Sequence, residues 1–142
     1  MTKYEKLLDV IDGSDIIYSQ TDADMLPACT IRIENEYGIL FNEDVFETNA
    51  ERYINLAHEK AHCDTGAVYS AYAPLISREY CEARAWRRTI QDVMPFDEMV
   101  EVFERCVYAD GLDVFELADK LDVTPEFAKR AIEHYHRRGE RW

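Results

Sequence analysis

Apolar positions at the start of the chain recur at the spacing of a helix. Tyr4, Leu7, Leu8 and Ile11 share one face, and Gly13 follows as a stop. The period then shortens. Asp15-Ile-Ile-Tyr-Ser19 reads as a strand and the polar stretch from Gln20 to Asp24 as a loop. Cys29, Ile31 and Ile33 alternate with Thr30, Arg32 and Glu34, the pattern of a half-buried strand. After the polar Asn35-Glu36, the run Tyr37-Gly-Ile-Leu-Phe41 reads as its hairpin partner. Three short strands predict a small antiparallel sheet, which needs helices on one face to be stable.

Helical periodicity returns at Thr48. That residue, with Glu51 three positions later, has the form of a capping box, and Ala50, Tyr53, Ile54, Ala57 and Ala61 make an apolar stripe that Gly66 can end. Beyond Pro74, Ser77 is the expected cap of a helix whose apolar face is Ala85, Trp86, Thr89, Ile90, Val93 and Met94, closing before Pro95. Helices are further predicted over Met99 to Val107 and Val114 to Leu121, with a last one opened by Thr124-Pro125. The pattern as a whole predicts an α+β chain. Residues 1–95 form a core in which a small antiparallel sheet packs on the second helix, and residues 96–142 form a helical C-terminal extension.

Composition narrows the function classes. The chain of 142 residues is 47% hydrophobic, enough for an ordinary core. Its formal net charge of -13 argues against nucleic-acid binding, which needs a concentrated cationic surface. The acidity suits a basic protein partner. Cys29, Cys63, Cys81 and Cys106 form no CxxC pair, so reduced thiols are expected rather than a disulfide framework. Met1 to Asp15 carries charge throughout, and no stretch approaches the roughly 20 apolar residues of a membrane span. A cytoplasmic protein is expected.

Candidate chemistry lies inside the second predicted helix. His58-Glu59-Lys60-Ala61-His62 is an HExxH pattern. Residues four apart on a helix are separated by about 6 Å of rise and about 40° of rotation, so both imidazoles can close on one ion. Glu59 follows the first histidine and can reach a water at the metal. A zinc ion would lower that water's pKa toward about 7, and a glutamate could then move its proton. Two of only four histidines fall here, and both continue the row from Ile54 toward the core. The plain alternative is a pair of hydrogen-bonded core histidines. A catalytic zinc needs a third protein ligand. Glu82 extends the apolar stripe of the next helix and is the best candidate, while Glu79, one turn earlier, is allowed by the same periodicity. Cys63 and Cys81 adjoin the candidate ligands, but neighbouring helix positions point about 100° apart, and both read as packing residues.

These residues resemble a known family. Leu56-Ala-His-Glu-Lys-Ala-His-Cys-Asp-Thr-Gly66, Tyr69, Tyr72-Ala-Pro74, Glu82-Ala-Arg-Ala85 and Val93-Met-Pro95 are similar to the ImmA/IrrE metallo-endopeptidases, especially short versions from phages and mobile elements. The similarity takes in Gly38-Ile-Leu-Phe-Asn42 and continues through Glu116-Leu-Ala-Asp-Lys-Leu-Asp-Val-Thr124 to Arg138. The resemblance implies a zincin-like core with zinc on His58, His62 and Glu82, and Glu59 as general base. Its spacing from Glu82 to Ala85 and Pro95 selects Glu82 over Glu79. It further implies a cytoplasmic endopeptidase that cleaves a helix-turn-helix repressor. Two positions depart from the family pattern. Lys60-Ala61 stands where a hydrophobic residue and Gly are usual, and Trp86 where an Asn or Asp often orients a ligand. Those departures favour the rival reading, a weak or inactive peptidase-like regulator that binds a repressor or DNA through its C-terminal helices.

Three further signals have plainer readings. Leu117-Ala118, Leu121, Val123-Thr124 and Ala128 to Ala131 fit a helix-turn-helix, with Lys129 and Arg130 toward DNA, but residues 124–142 carry a local charge of only +2. A packed helical tail is the favoured reading. His134 and His136 diverge as i, i+2 residues and make a poor second metal site. Tyr69, Tyr72 and Tyr80 are candidates for an oxyanion donor, and the pattern does not choose among them.

Overall fold

The first helix, α1, covers Lys3–Asp12, where Thr2 caps its start by accepting from the Glu5 amide and Gly13 closes its end. The computed structural model that contains it describes residues 1–22, 26–106 and 113–138. Strands β1 (Ile17–Gln20), β2 (Ala28–Ile33) and β3 (Glu36–Phe41) follow, then a single 3₁₀ turn over Glu43–Val45. Helices α2 (Asn49–Thr65), α3 (Leu75–Val93), α4 (Phe96–Cys106), α5 (Val114–Leu121) and α6 (Pro125–Arg137) complete an α+β chain. The predicted loop residues Ala23 and Asp24, and Val107 at the end of the fourth predicted helix, lie outside the described residues. No helix among the described residues is long and apolar enough to cross a membrane.

The sheet is mixed rather than antiparallel, with strand order β1-β3-β2. β2 and β3 form the expected hairpin, with Thr30 opposite Ile39 and Ile31 opposite Gly38. β1 instead pairs parallel to β3, from Ile17 opposite Gly38 to Gln20 opposite Phe41. The antiparallel expectation took strands adjacent in sequence to be adjacent in space. The Thr21 amide extends this pairing by donating to the Phe41 carbonyl; the chain then crosses to the far side of β3, where the Asn42 amide donates to the Pro27 carbonyl. β3 is thereby central and β2 is an edge.

The alternation in β2 has the opposite sense to its apolar pattern. Ile31 and Ile33 are exposed, as is Ile17 of β1 on the same face. The face that carries Thr30, Ile39 and Phe41 meets the helices. Tyr4 and Ile11 of α1, Ile39 and Phe41 of β3, and Leu56 and Cys63 of α2 form the buried core there. Phe41 is the hub, with its ring stacked on Phe46 at 5.2 Å and tilted against Tyr4 at 6.2 Å.

Helix α2 owes its limits to local chemistry. The Thr48 side chain accepts from the Glu51 amide, while the Glu51 carboxylate accepts from the Glu47 amide one residue before the cap. At the other end Gly66 adopts a left-handed conformation at φ 69° and donates its amide to the Cys63 carbonyl. Helix α3 begins two residues before the predicted cap. Its first turn hangs on the Pro74 carbonyl, which accepts from the Ser77 and Arg78 amides, so Ser77 lies within the helix. Proline supplies the opening because its fixed φ suits a helix start and it needs no amide partner.

Two compact units divide the chain, Met1–Thr89 and Ile90–Trp142. The first holds the sheet, α1, α2 and most of α3. In the second, Leu117, Ala118 and Leu121 of α5 bury against each other's neighbourhood with Phe127, Ala128 and Ala131 of α6. Asp122, in the left-handed region at φ 56°, makes the tight turn between them. The Tyr135 hydroxyl donates to the Met94 carbonyl at 2.6 Å, and its ring lies 5.2 Å from Phe96.

Gly66 gives a direct check on how α2 is ended. A Cβ there would be strained at φ 69° and would meet the Tyr37 hydroxyl oxygen at 3.3 Å. Gly66→Ala should cost about 1–2 kcal/mol in urea unfolding. Unchanged stability would mean that α2 is not closed by a left-handed residue.

Candidate metal centre

Two helices bring the candidate ligands together. His58 and His62, one turn apart on α2, are both buried, and their ring centroids lie 4.7 Å apart in an edge arrangement. Each turns its Nε2 toward the same point, and the two nitrogens are 3.2 Å apart. Glu82 enters from α3 with Oε2 2.8 Å from His58 Nε2 and Oε1 3.2 Å from His62 Nε2. Among the described residues these three form the cluster that could hold a metal ion, with one ligand atom from each inside a 4.8 Å span. Glu79, which the periodicity of α3 also allowed, is exposed and outside the cluster.

The two histidines are oriented differently. His62 donates from Nδ1 to the Ala67 carbonyl at 2.6 Å, so that in the neutral ring the Nε2 lone pair is available for a ligand role, whereas the protonated ring donates from Nε2 to Glu82. Gly66 makes this contact possible, because the chain reverses there and returns the Ala67 carbonyl to the helix. His58 has no such partner. Its Nδ1 is buried without a hydrogen bond, and its ring lies flat on Trp86 of α3, with centroids 3.8 Å apart and planes 22° apart.

The electrostatics agree with this geometry. Hydrogen bonds from His58 and then His62 hold the Glu82 carboxyl far below its ordinary value, against the opposing effect of burial. Burial pushes the His62 imidazole down, but its hydrogen bonds to Glu82 and the Ala67 carbonyl outweigh that and leave it above 6.5. Tyr69 donates its hydroxyl to Glu82 Oε1 at 2.8 Å. That bond, with burial, raises the phenol to about 12, so it remains a proton donor at neutral pH. Of the three tyrosines that the sequence pattern leaves equal, the structure brings only Tyr69 to the cluster. Tyr72 is 97% exposed and Tyr80 is 69% exposed.

Glu59 stands beside the ligands without joining them. Its Oε2 accepts a 2.6 Å hydrogen bond from Thr30 Oγ1 of β2, a hydroxyl that also lies 3.1 Å from the Glu59 carbonyl. Glu59, His62, Tyr69 and Glu82 share one cleft of about 160 Å³, walled on the other side by Ala28, Cys29 and Thr30 of the edge strand. Thr30 and the Ala67 carbonyl went unnoticed in the sequence. Thr30 falls in the polar half of an alternation whose apolar half turns out to face solvent, and a carbonyl has no sequence signature. Lys60 pairs with Asp64, one turn on, at 2.6 Å. Burial raises the Cys63 thiol to about 12, which fits its place in the core. No protein-family model, curated protein or solved structure matches this chain.

The arrangement can bind a divalent transition metal through two imidazoles and a carboxylate, and protons compete for the same atoms. In the metal-free protein, Glu82 stabilises the fold above the ordinary carboxylate value and ceases to do so as pH falls through its depressed one. His62 stabilises it below 6.5 and ceases to do so as pH rises through its raised value. Metal binding needs His62 neutral, so affinity should rise as pH increases through the raised value of His62, with proton release visible by calorimetry in buffers of different ionisation enthalpy. Glu82→Gln should weaken binding by more than the roughly 10- to 100-fold typical of an outer partner, and Glu79→Gln should leave it unchanged. PH-independent binding, or a larger loss for Glu79→Gln, would contradict this assignment.

Proposed function

We propose that the chain is a zinc-dependent endopeptidase of the ImmA/IrrE kind. The observation that carries the reading is that Glu59 and two of the three candidate ligands, His62 and Glu82, open on one cleft lined by the edge strand β2. The donor set fits zinc. Two ligand atoms held tetrahedrally at zinc–ligand lengths lie about 3.3 Å apart, and the separations here run from 2.8 to 3.2 Å. Three protein ligands leave one position for substrate chemistry. When bound, zinc supplies Lewis acidity, which polarises a peptide carbonyl and makes a water acidic enough to attack it.

The chain's own groups do the rest. Glu59 takes the proton of the attacking water and passes it to the leaving amine, and Thr30 fixes the carboxylate by donating to Oε2. Tyr69, protonated near neutral pH, faces the same cleft and is placed to donate to the oxygen that gains charge. The cleft is too small for a folded surface, so the substrate enters as an extended segment. The edge of β2, unpaired among the described residues, can bind it by adding a strand. The acidity of the chain suits a basic substrate, and a cytoplasmic helix-turn-helix repressor is the class that the family resemblance names. A second reading, a peptidase-like scaffold that binds such a repressor without cutting it, draws on one observation, the buried Nδ1 of His58 with no acceptor.

The test is to incubate the zinc-loaded protein with helix-turn-helix repressors from the same genome. One metal-dependent cut is expected. Glu59→Gln should keep its zinc and lose cleavage by at least about 100-fold. A repressor that is bound and left intact supports the scaffold, and cleavage that survives Glu59→Gln removes Glu59 from the chemistry.

A further inference from the structure

The two imidazoles of the cluster face the same problem and solve it differently. A neutral histidine that offers Nε2 to a metal must carry its proton on Nδ1. For His62 that proton has a place, the Ala67 carbonyl at 2.6 Å. For His58 it has none, because Nδ1 is buried with no hydrogen-bond partner. With no metal, His58 can avoid the difficulty by keeping its proton on Nε2 and donating to Glu82 Oε2 at 2.8 Å. A metal removes that option, since Nε2 must then give its lone pair. Neither ring position of His58 is therefore fixed in its ligand form by a hydrogen bond.

What does fix the ring is Trp86. The indole lies 3.8 Å from the imidazole, centroid to centroid, at 22°, which is a face-to-face stack over the whole of the smaller ring. It comes from α3, one turn beyond Glu82, so the same helix supplies both the third ligand and the surface against which the first is held. Resting on the metal-site reading, we infer that Trp86 is a positioning residue for His58. Its stacking does for this imidazole what the Ala67 carbonyl does for His62. The stack sets the ring plane and leaves the tautomer free to change. Metal binding is then accompanied by a proton shift on His58, from Nε2 in the metal-free protein to Nδ1 in the loaded one, while His62 keeps its Nδ1 proton throughout.

The test uses zinc and full-length protein with Trp86→Phe and Trp86→Leu. Phenylalanine keeps an aromatic face and leucine keeps apolar bulk alone. Zinc affinity, measured by competition with a chromophoric chelator, should stay within about threefold for Trp86→Phe and fall at least tenfold for Trp86→Leu, the scale on which an orienting partner acts. The unfolding midpoint of metal-free Trp86→Leu controls for a packing defect. Nitrogen-15 spectra of histidine-labelled protein should show the His58 proton on Nε2 without zinc and on Nδ1 with it. Equal affinities in all three proteins, or an equal loss in both variants, would overturn the inference and leave the metal site standing. An unchanged His58 tautomer on zinc binding would overturn it as well. A wild-type chain that takes up no zinc would remove the metal reading itself, and this inference with it.

Discussion

The site depends on a carboxylate that stays ionised at the meeting point of two helices. Glu82 lies on α3 and the imidazoles it touches lie on α2, and the structure joins them through side chains, with a contact from Tyr69 in the intervening loop. Were Glu82 protonated, it would lose its attraction for both imidazoles and its capacity to complete a cation site. The hydrogen bonds from His58, His62 and Tyr69 hold it in the charged form against partial burial. Each of these donors is in turn positioned by something else. His62 is fixed by the Ala67 carbonyl, His58 by the face of Trp86, and Tyr69 by the loop that Gly66 begins.

The rest of the first unit places α2 so that this junction can form. Leu56 and Cys63 of α2 sit in the core with Ile39 and Phe41, on the opposite side of the helix from its contact with Glu82. The sheet contributes more than a packing surface. Its edge strand sends Thr30 to the Glu59 carboxylate, so that group is anchored on β2 and not left to its own rotamers. The strand order makes this possible, because β1 pairs with the side of β3 away from β2 and leaves β2 at an edge beside the cleft.

How much of this the sequence reveals depends on the range of the interactions. Helix α2, with its Thr48 start and Gly66 end, is legible because caps and periodicity act within a few residues. So is the His58–His62 pair, since helix geometry alone brings residues four apart together. Glu82 and Glu79 are inseparable by periodicity, because residues one turn apart share nearly the same helix face, and only the tertiary approach of α2 to Glu82 distinguishes them. The sheet order is not legible at all, for strand pairing is a long-range choice. Its mistaken form hid Thr30, because the isoleucines of β2 look like a core face and are exposed. Trp86 reads in sequence as part of the apolar face of α3, and only the structure shows its ring stacked on His58.

The central claim is that His58, His62 and Glu82 together form a metal site, and the identity of the ligand atoms tests it most directly. X-ray absorption at the zinc edge of the loaded protein reads those atoms without reference to activity. The account predicts nitrogen and oxygen scatterers at about 2.0–2.1 Å, with outer-shell features of two imidazoles. A sulfur shell at about 2.3 Å would contradict it, because the metal would then sit on cysteine thiolates such as Cys63 or Cys81 and not on the cluster that Glu82 completes.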